Sequence, residues 1–187
     1  DRDRFNLLIC NPPYVRHHHI VNIEKQRLKL STQRVCSVEI NGLAGLYCYF
    51  IGLSHPWMHD GGLAGWLIPS EFMDVNYGVF VKRYLLEKVM LLHIHRFDPN
   101  EVQFSDALVS SAVVWFRKVM PPAGHQVLFT YGGSLQEPKL ERMVSAETLR
   151  RDIKWTRYPM KESHEIVMGP VLGDFFKIKR GLATGSN

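Results

Sequence analysis

Cysteine is scarce in this sequence of 187 residues, and the three that occur are Cys10, Cys36 and Cys48. Their number is odd and no two have C-x-x-C spacing, so neither a disulfide framework nor a cysteine zinc site is expected. A reducing, cytoplasmic setting follows. No apolar run reaches the roughly 18 residues that span a bilayer. Residues 1–10 lack a signal-peptide pattern, so no membrane partner is expected.

Acidic residues are fewer than basic ones, and the difference is concentrated near the end of the sequence. The net charge is +5, and residues 149–187 hold eight basic and four acidic side chains, which leaves +4 in that segment. A polyanionic partner such as nucleic acid suits a basic segment of this kind. A solvated charged surface explains the same charge equally well.

What the sequence does contain is the tetrad Asn11-Pro12-Pro13-Tyr14, directly after the apolar run at residues 5–10. A run of this length that ends at Asn-Pro predicts a buried strand stopping at its carboxyl end. The two prolines fix the backbone and supply no N–H, so nearby carbonyls lack local donors. Together with an amide and an aromatic ring, they suit recognition of an amino group attached to a flat ring.

The tetrad and the strand before it resemble the catalytic motif of adenine-N6 DNA methyltransferases, including Eco57I-like type II restriction–modification enzymes. In that family the Asn side chain and the first Pro carbonyl accept hydrogen bonds from the target amino group, and the Tyr stacks on the extruded base. The resemblance assigns these roles to Asn11, Pro12 and Tyr14, with Pro13 completing the catalytic tetrad. A plain strand-to-turn Asn-Pro-Pro is the alternative when the motif stands alone.

The pattern after the tetrad predicts alternating helices and strands. Leu46–Met58 is predicted to be a helix that Gly61-Gly62 terminates, and its predicted apolar face consists of Leu46, Phe50, Leu53 and Trp57. The other predicted elements are a short helix near residues 22–30, strands at 63–68, 89–94, 109–118 and 126–131, and helices at 77–88 and 140–151. Because no helix precedes the strand at 109–118, it should pair antiparallel to the strand before it.

The fold class implied by these elements and by the resemblance is α/β. It is the second half of a Rossmann-like class I methyltransferase sheet, with parallel strands, crossover helices and a terminal antiparallel hairpin. Three parts are expected: a partial catalytic domain at 1–131, a connecting segment with a basic helix at 132–170, and the start of a truncated target-recognition domain at 171–187. The glycine loop and acidic residue that bind the cofactor in this fold are not found before residue 11. The sequence is therefore interpreted as a fragment that is inactive alone.

The resemblance also assigns residues outside the tetrad. Phe104, in the hairpin loop, is the expected second stacking aromatic, and Phe97 is the alternative. Asn11 and Phe50 are expected to contact the methyl donor, S-adenosyl-L-methionine. Double-stranded DNA is the expected partner, contacted by Arg16, Arg150, Arg151, Lys177, Lys179 and Arg180. The consecutive histidines at 17–19 diverge on any regular element, so they are expected to form a phosphate-meeting loop and no metal site.

These expectations combine into a site-specific adenine-N6 DNA methyltransferase of a restriction–modification or phage-defence system. Two alternatives stay open. A protein-glutamine or ribosomal-RNA guanine-N2 methyltransferase uses the same tetrad, and a non-catalytic nucleic-acid-binding module would keep the fold. In a fragment, the strand at residues 5–10 would become an exposed apolar edge, and self-association through it is expected.

Overall fold

A computed structural model describes residues 4–100, 110–160, 170, 172–177 and 179. The strands within these residues are β1 Phe5–Cys10, β2 Met58–Pro69, β3 Met90–Arg96, β4 Ser111–Arg117, β5 Gln126–Gly133 and β6 Pro138–Ser145. The α-helices are α1 Asn22–Cys36, α2 Leu46–Ser54, α3 Val79–Glu87, α4 Ala146–Arg151 and α5 Leu172–Phe175. In the described ranges, no helix is both long and apolar enough to cross a bilayer.

The strands form one mixed sheet in the order β1-β2-β4-β3-β5-β6. Strands β1 and β2 pair in parallel, as do β3 and β5, whereas β4 runs antiparallel to both β2 and β3. The predicted reversed strand is thus confirmed, and it lies between the two parallel pairs. Strands β1, β2, β3 and β5 share one direction and end at the same side of the sheet, which is called the carboxyl edge below. Its strand ends are Cys10, Pro69, Arg96 and Gly133.

The hydrophobic core lies on one face of the sheet. Trp66, Phe116 and Phe129 are fully buried there. The ring of Tyr84 on α3 contacts Phe116 with a centroid distance of 5.7 Å, and Trp155 contacts Phe129 at 6.3 Å. Helix α3 and the segment around Trp155 therefore cover this face.

The opposite face is open at β1, which is an edge strand. Ile9 lies beside Gly65 on this face, and 64% of its side chain is exposed. Phe5 and Leu7 are each 56% exposed. The predicted exposed apolar edge at residues 5–10 is therefore present in the described part of the chain, and the expectation that this strand is buried is wrong.

Helix α2 buries a different face from the predicted one. Phe50 is 41% exposed and Trp57, in the 3-10 turn that follows the helix, is 59% exposed. Tyr47, Cys48 and Ile51 are buried instead. The helix is apolar all round, so spacing alone did not select the side that packs against the sheet.

The glycines expected to terminate this helix lie inside β2. Gly61 has a positive φ of 84°, a backbone conformation that residues other than glycine rarely adopt. Its N–H donates to the Lys118 carbonyl at 2.8 Å. Pairing with neighbouring strands extends β2 back to Met58, so the prediction that Gly61-Gly62 caps a helix is wrong.

The first half of the predicted helix at 140–151 is a β-strand. Residues up to Ser145 form β6, which pairs antiparallel with β5, and only the last six residues are helical. The spacing of Leu140, Met143 and Val144 fits a helix, but β5 offers an unpaired edge whose backbone groups β6 satisfies. Ser145 then caps α4 by accepting a hydrogen bond from the Thr148 N–H at 3.1 Å. Strand β5 continues past residue 131, the predicted end of the catalytic domain. The predicted division of the chain into three parts remains a prediction.

We predict that Trp155→Ala lowers the free energy of unfolding by about 3–5 kcal/mol, the usual cost of removing a buried large side chain. Trp155 is fully buried, and its indole N–H donates to the Leu149 carbonyl at 3.0 Å. Urea denaturation followed by circular dichroism measures the loss. The neighbouring Ile153, which is 75% exposed, provides the control, since Ile153→Ala should change stability by less than about 0.5 kcal/mol. Equal losses for the two variants would contradict the packing described here.

A second prediction concerns acid stability. The Thr130 hydroxyl is hydrogen-bonded to His93 Nε2 at 2.7 Å and to His95 Nδ1 at 2.8 Å. Burial and the nearby His95 lower the pKa of His93 from 6.5 to about 4. The folded state therefore holds His93 neutral where the unfolded state would protonate it, so this contribution is complete above about pH 6.5 and is lost as the pH falls toward 4.

Replacing His93 with Gln should make the free energy of unfolding less sensitive to acid. We expect the loss between pH 7 and pH 4 to shrink by about 1–2 kcal/mol, a range that allows for solvent screening of a half-exposed ring. Denaturant titrations at several pH values test this. The same pH dependence in both proteins would show that His93 does not carry the effect.

Candidate active site

The tetrad at residues 11–14 leaves the sheet at the carboxyl edge. Its preceding residue, Cys10, is the last residue of β1 and lies opposite Trp66 of β2. In open α/β sheets, ligands bind outside the carboxyl ends of the strands. The strand-to-loop transition predicted from the sequence therefore lies where such folds place their chemistry.

Within the tetrad, Asn11 and Pro13 are exposed, Pro12 is buried and Tyr14 is half-buried. The Asn11 amide makes no hydrogen bond to any described residue. Neither proline has a backbone N–H that could donate a hydrogen bond to a neighbouring carbonyl. The tetrad thus presents an amide oxygen that is free to accept hydrogen bonds from a ligand.

Tyr14 provides a neutral aromatic ring. Burial raises the pKa of its hydroxyl to about 12, so the ring carries no charge at physiological pH. The hydroxyl oxygen is buried and has no hydrogen-bond partner among the described residues. A neutral, partly exposed ring next to a free amide suits stacking against a flat base.

A close backbone contact holds the chain just after the tetrad. The Leu46 N–H, at the start of α2, donates to the Val15 carbonyl at 2.9 Å. A Cβ atom at Gly45 would lie 3.3 Å from that carbonyl oxygen and 3.2 Å from the Tyr47 ring. Glycine at position 45 therefore allows the helix start to approach the tetrad.

The other loops of the carboxyl edge are fastened to β4. Ser70, directly after β2, donates its backbone N–H to the Ser110 carbonyl and its hydroxyl to the Ser110 hydroxyl, both at 2.8 Å. Phe97, directly after β3, donates its N–H to the Ser111 carbonyl at 3.2 Å. The segment between Phe97 and Ser110 therefore begins and ends at this edge.

The two candidates for the second stacking aromatic belong to this segment. Phe104 lies outside the described residues, so its role stays a prediction. The alternative, Phe97, packs edge-on against the ring of His95 at a centroid distance of 4.7 Å. That contact ties Phe97 to the sheet.

Glu71 and Tyr77 join the site although the sequence did not single them out. Burial and the neighbouring Glu71 carboxylate raise the pKa of Tyr77 to about 12, and the positive charge of Arg16 opposes this shift. Arg16, two residues after the tetrad, and Glu71, just after β2, therefore both influence the Tyr77 hydroxyl. The available signal was the run Ile68-Pro69-Ser70-Glu71, a strand that ends at proline and is followed by polar residues, as at the tetrad.

Phe50 points away from the core although it lies on a largely buried helix. It follows Leu46 by one turn and is 41% exposed, so core packing does not account for an aromatic residue at this position. An exposed ring one turn from a helix start at the carboxyl edge is available to a planar ligand. Among the described residues, no ring contact or hydrogen bond joins the Phe50 side chain to the tetrad.

Two of the predicted DNA-binding residues, Arg150 and Arg151, lie apart from the tetrad. Arg16 is at the carboxyl edge, whereas α4, which carries Arg150 and Arg151, begins at the opposite edge, beside the start of β5. Arg150 donates to the Leu86 carbonyl at 3.2 Å. Both arginines line a cavity of about 350 Å³ between α3 and α4. Lys177 and Lys179 are exposed, and Arg180 lies outside the described residues.

The contacts predicted for Asn11 and Phe50 with a methyl donor stay predictions. The ten residues before the tetrad contain no glycine, so the close-approach loop of this fold class is not among them. In the part of the chain that the structure describes, no three His, Cys, Asp or Glu side chains are grouped to hold a metal ion.

Comparison with known proteins connects this geometry to restriction–modification enzymes. The chain is 31% identical over 202 aligned residues to the Type II methyltransferase M.AccI of Acinetobacter calcoaceticus, covering 100% of this chain and 36% of that protein. It is 27% identical over 185 residues to M.XamI of Xanthomonas campestris pv. amaranthicola, covering 96% of this chain and 34% of that protein. The chain thus spans about a third of the length of these curated relatives.

Solved structures give the same fold. The type IIG restriction endonuclease BpuSI matches with a TM-score of 0.61 and 15% identity, over 79% of this chain and 20% of that one. A class I S-adenosylmethionine-dependent methyltransferase from Listeria monocytogenes matches with a TM-score of 0.53 and 18% identity, over 73% of this chain and 39% of that one. At these identities the likeness concerns the fold, which is that of class I methyltransferases.

A family model described as the Eco57I restriction-modification methylase matches residues 1–103, which include the tetrad, α1 to α3 and the first three strands. This range is more than half of the chain. The predicted resemblance is therefore confirmed: the chain belongs to the Eco57I restriction-modification methylase family.

Proposed function

We propose that this chain is the catalytic part of a site-specific adenine-N6 DNA methyltransferase of a restriction–modification or phage-defence system. The observation that carries the proposal is the free Asn11 amide in an Asn-Pro-Pro-Tyr tetrad at the carboxyl edge. Family membership supports methyl transfer. The adenine target and the DNA substrate are proposed from the tetrad.

The adenine must leave the DNA stack, because its amino group cannot be reached inside a base pair. Tyr14 then stacks on one side of the extruded ring and Phe104 on the other, and each stack contributes about 1–3 kcal/mol. The Asn11 side chain and the Pro12 carbonyl accept the two amino hydrogens. This draws the nitrogen lone pair out of conjugation and aims it away from the acceptors, as positive charge develops on nitrogen.

S-adenosyl-L-methionine, when bound, supplies an electrophilic methyl group. Methyl transfer from it would form the new N–C bond with the N6 lone pair and would leave the electron pair of the sulfur–methyl bond on sulfur. The surplus N6 proton leaves to solvent. Within this chain, Asn11 orients the amino nitrogen and the exposed ring of Phe50 is proposed to pack against the adenine of the donor.

The remaining parts of the donor site are proposed to lie outside this chain. The sheet described here would be the second half of a class I sheet, and the first half would join β1 at its open edge. On this reading the chain alone is inactive. Residues from 171 onward are proposed to begin a DNA target-recognition domain, where Lys177, Lys179 and Arg180 would contact phosphates together with Arg150 and Arg151.

Asn11→Ala in the intact enzyme tests the adenine assignment. We expect the methylation rate to fall at least about 100-fold, since removing one preorganised polar group at a site of developing charge costs about 10²–10³ in rate. DNA affinity should stay within about twofold. The readout is mass spectrometry of nucleosides from unmethylated duplex DNA.

The matched control for this variant is Asn6→Ala, since Asn6 is an exposed asparagine on β1, the strand that ends just before Asn11. This variant should methylate normally. Full activity of Asn11→Ala would refute the role of Asn11. If the unmodified enzyme methylated glutamine in a protein or guanine in RNA, the alternative methyltransferase function would replace the one proposed.

We further predict that the 187-residue chain self-associates through β1. Phe5, Leu7 and Ile9 are more than half exposed on an edge strand, and such edges pair with other chains. Sedimentation velocity should detect dimers or larger species, and Ile9→Lys should shift them to monomer because a charge on an edge strand opposes pairing. Val21→Lys, at an exposed site off the sheet, should leave them unchanged. A strictly monomeric parent chain would contradict this prediction.

A further inference from the structure

The segment between the tetrad and α1 forms a compact basic turn. Arg16 begins it, and its carbonyl accepts a hydrogen bond from the His19 N–H at 3.0 Å. The His17 carbonyl accepts from the Ile20 N–H at 3.3 Å. Because the Val15 carbonyl is already held by α2, the turn has a fixed position next to the tetrad.

The side chains of this turn lie close to one another. The centroid of the His18 ring lies 5.3 Å from that of His17 and 4.1 Å from that of His19. Partial desolvation and the neighbouring charges of His19, His17, Arg16 and Lys25 lower the pKa of His18. These basic groups therefore lie close enough to influence one another.

Helix α1 carries this basic character away from the turn. It has fifteen residues, of which only Thr32 and Cys36 are buried. Leu28 and Val35 pack against the core beside these two residues, so one stripe of α1 is packed and its other side faces solvent. Lys25 lies in its first turn, on the side of His18.

Two acidic groups near this surface have described neighbours. Glu24 pairs with Arg27 at 3.8 Å, and both side chains are more than half exposed. Burial and the Glu71 carboxylate raise the pKa of Tyr77. Arg16 and Lys25 make no ion pair with any described residue, so their positive charges remain available to an external anion.

We propose that Arg16, His18, His19 and Lys25 form a surface that binds the sugar-phosphate backbone of the DNA strand carrying the target base. The inference rests on the proposed function and deepens it by naming the backbone contact. Two full charges and two imidazoles follow the stacking Tyr14 within eleven residues of chain. A strand whose base is extruded toward Tyr14 brings its flanking phosphates to this side of the tetrad.

The test is equilibrium DNA binding by the intact enzyme, measured by fluorescence anisotropy over a range of salt concentrations at pH 6.5. Arg16→Gln and Lys25→Gln should each reduce the salt slope of the log binding constant by about 1, since each removes one phosphate contact. We expect each to weaken binding about 5- to 10-fold at 0.1 M salt. His18→Asn combined with His19→Asn should weaken binding in the same direction.

The matched control is Arg27→Gln, which removes the same charge from the same helix but on the side where Arg27 pairs with Glu24. Its salt slope should equal that of the unmodified enzyme. Salt slopes for Arg16→Gln and Lys25→Gln that match the control would overturn the proposal. The proposal would also be overturned if Arg16→Gln and Lys25→Gln lost binding to polyglutamate but bound DNA like the unmodified enzyme, because the surface would then bind an acidic protein.

Methylation of the same duplex separates this proposal from the function it rests on. If the unmodified enzyme does not methylate adenine but the salt slopes change as expected, the proposed function fails and the DNA-binding surface stands. If adenine is methylated and the slopes do not change, the surface fails and the function stands.

Discussion

The parallel register between β1 and β2 determines where the tetrad stands. Cys10 lies opposite Trp66, which is fully buried, so the last residue of β1 is aligned with a large core side chain. A shift of one residue would turn every β1 side chain to the other face. Leu8 and Cys10 would then lose their packing against the core, and Asn11 would no longer leave the sheet beside the loop at Ser70.

Around the tetrad, hydrogen bonds fix the backbone of the loops, while the side chains of Asn11 and Phe50 are exposed. The bonds of Val15 to Leu46, Ser70 to Ser110 and Phe97 to Ser111 join three loops to a helix start or to β4. The Asn11 amide and the Phe50 ring, in contrast, remain exposed. Catalysis by positioning needs this combination, because a small displacement of a reacting group is costly in rate.

The roles proposed for the described groups at the carboxyl edge concern the target base more than the methyl donor. Phe5, Leu7 and Ile9 expose apolar surface on the strand that leads into the tetrad, and burying such surface gains about 25 cal/mol per Å². Further protein covering β1 would therefore stabilise this edge of the sheet.

Local patterns were sufficient for the elements whose sequences allow one structure. The apolar run before Asn11 predicted β1, and the missing helix before Ser111 predicted the antiparallel direction of β4. They were insufficient where two structures fit the same residues. Helix α2 is apolar all round, so the exposure of Phe50 was hidden, and Leu140–Ser145 fits both a helix and the strand that the open edge of β5 selected.

The sequence by itself determined the chemistry of the site, because Asn-Pro-Pro-Tyr combines an amide acceptor, carbonyls without competing donors and an aromatic ring in four consecutive residues. Only the tertiary structure decided which other residues accompany it. Arg16 and Glu71 both influence the Tyr77 hydroxyl, whereas α4, which carries Arg150 and Arg151, begins at the far edge of the sheet. The physical reason is that strand direction and crossover, which are non-local, decide the edge at which each loop emerges.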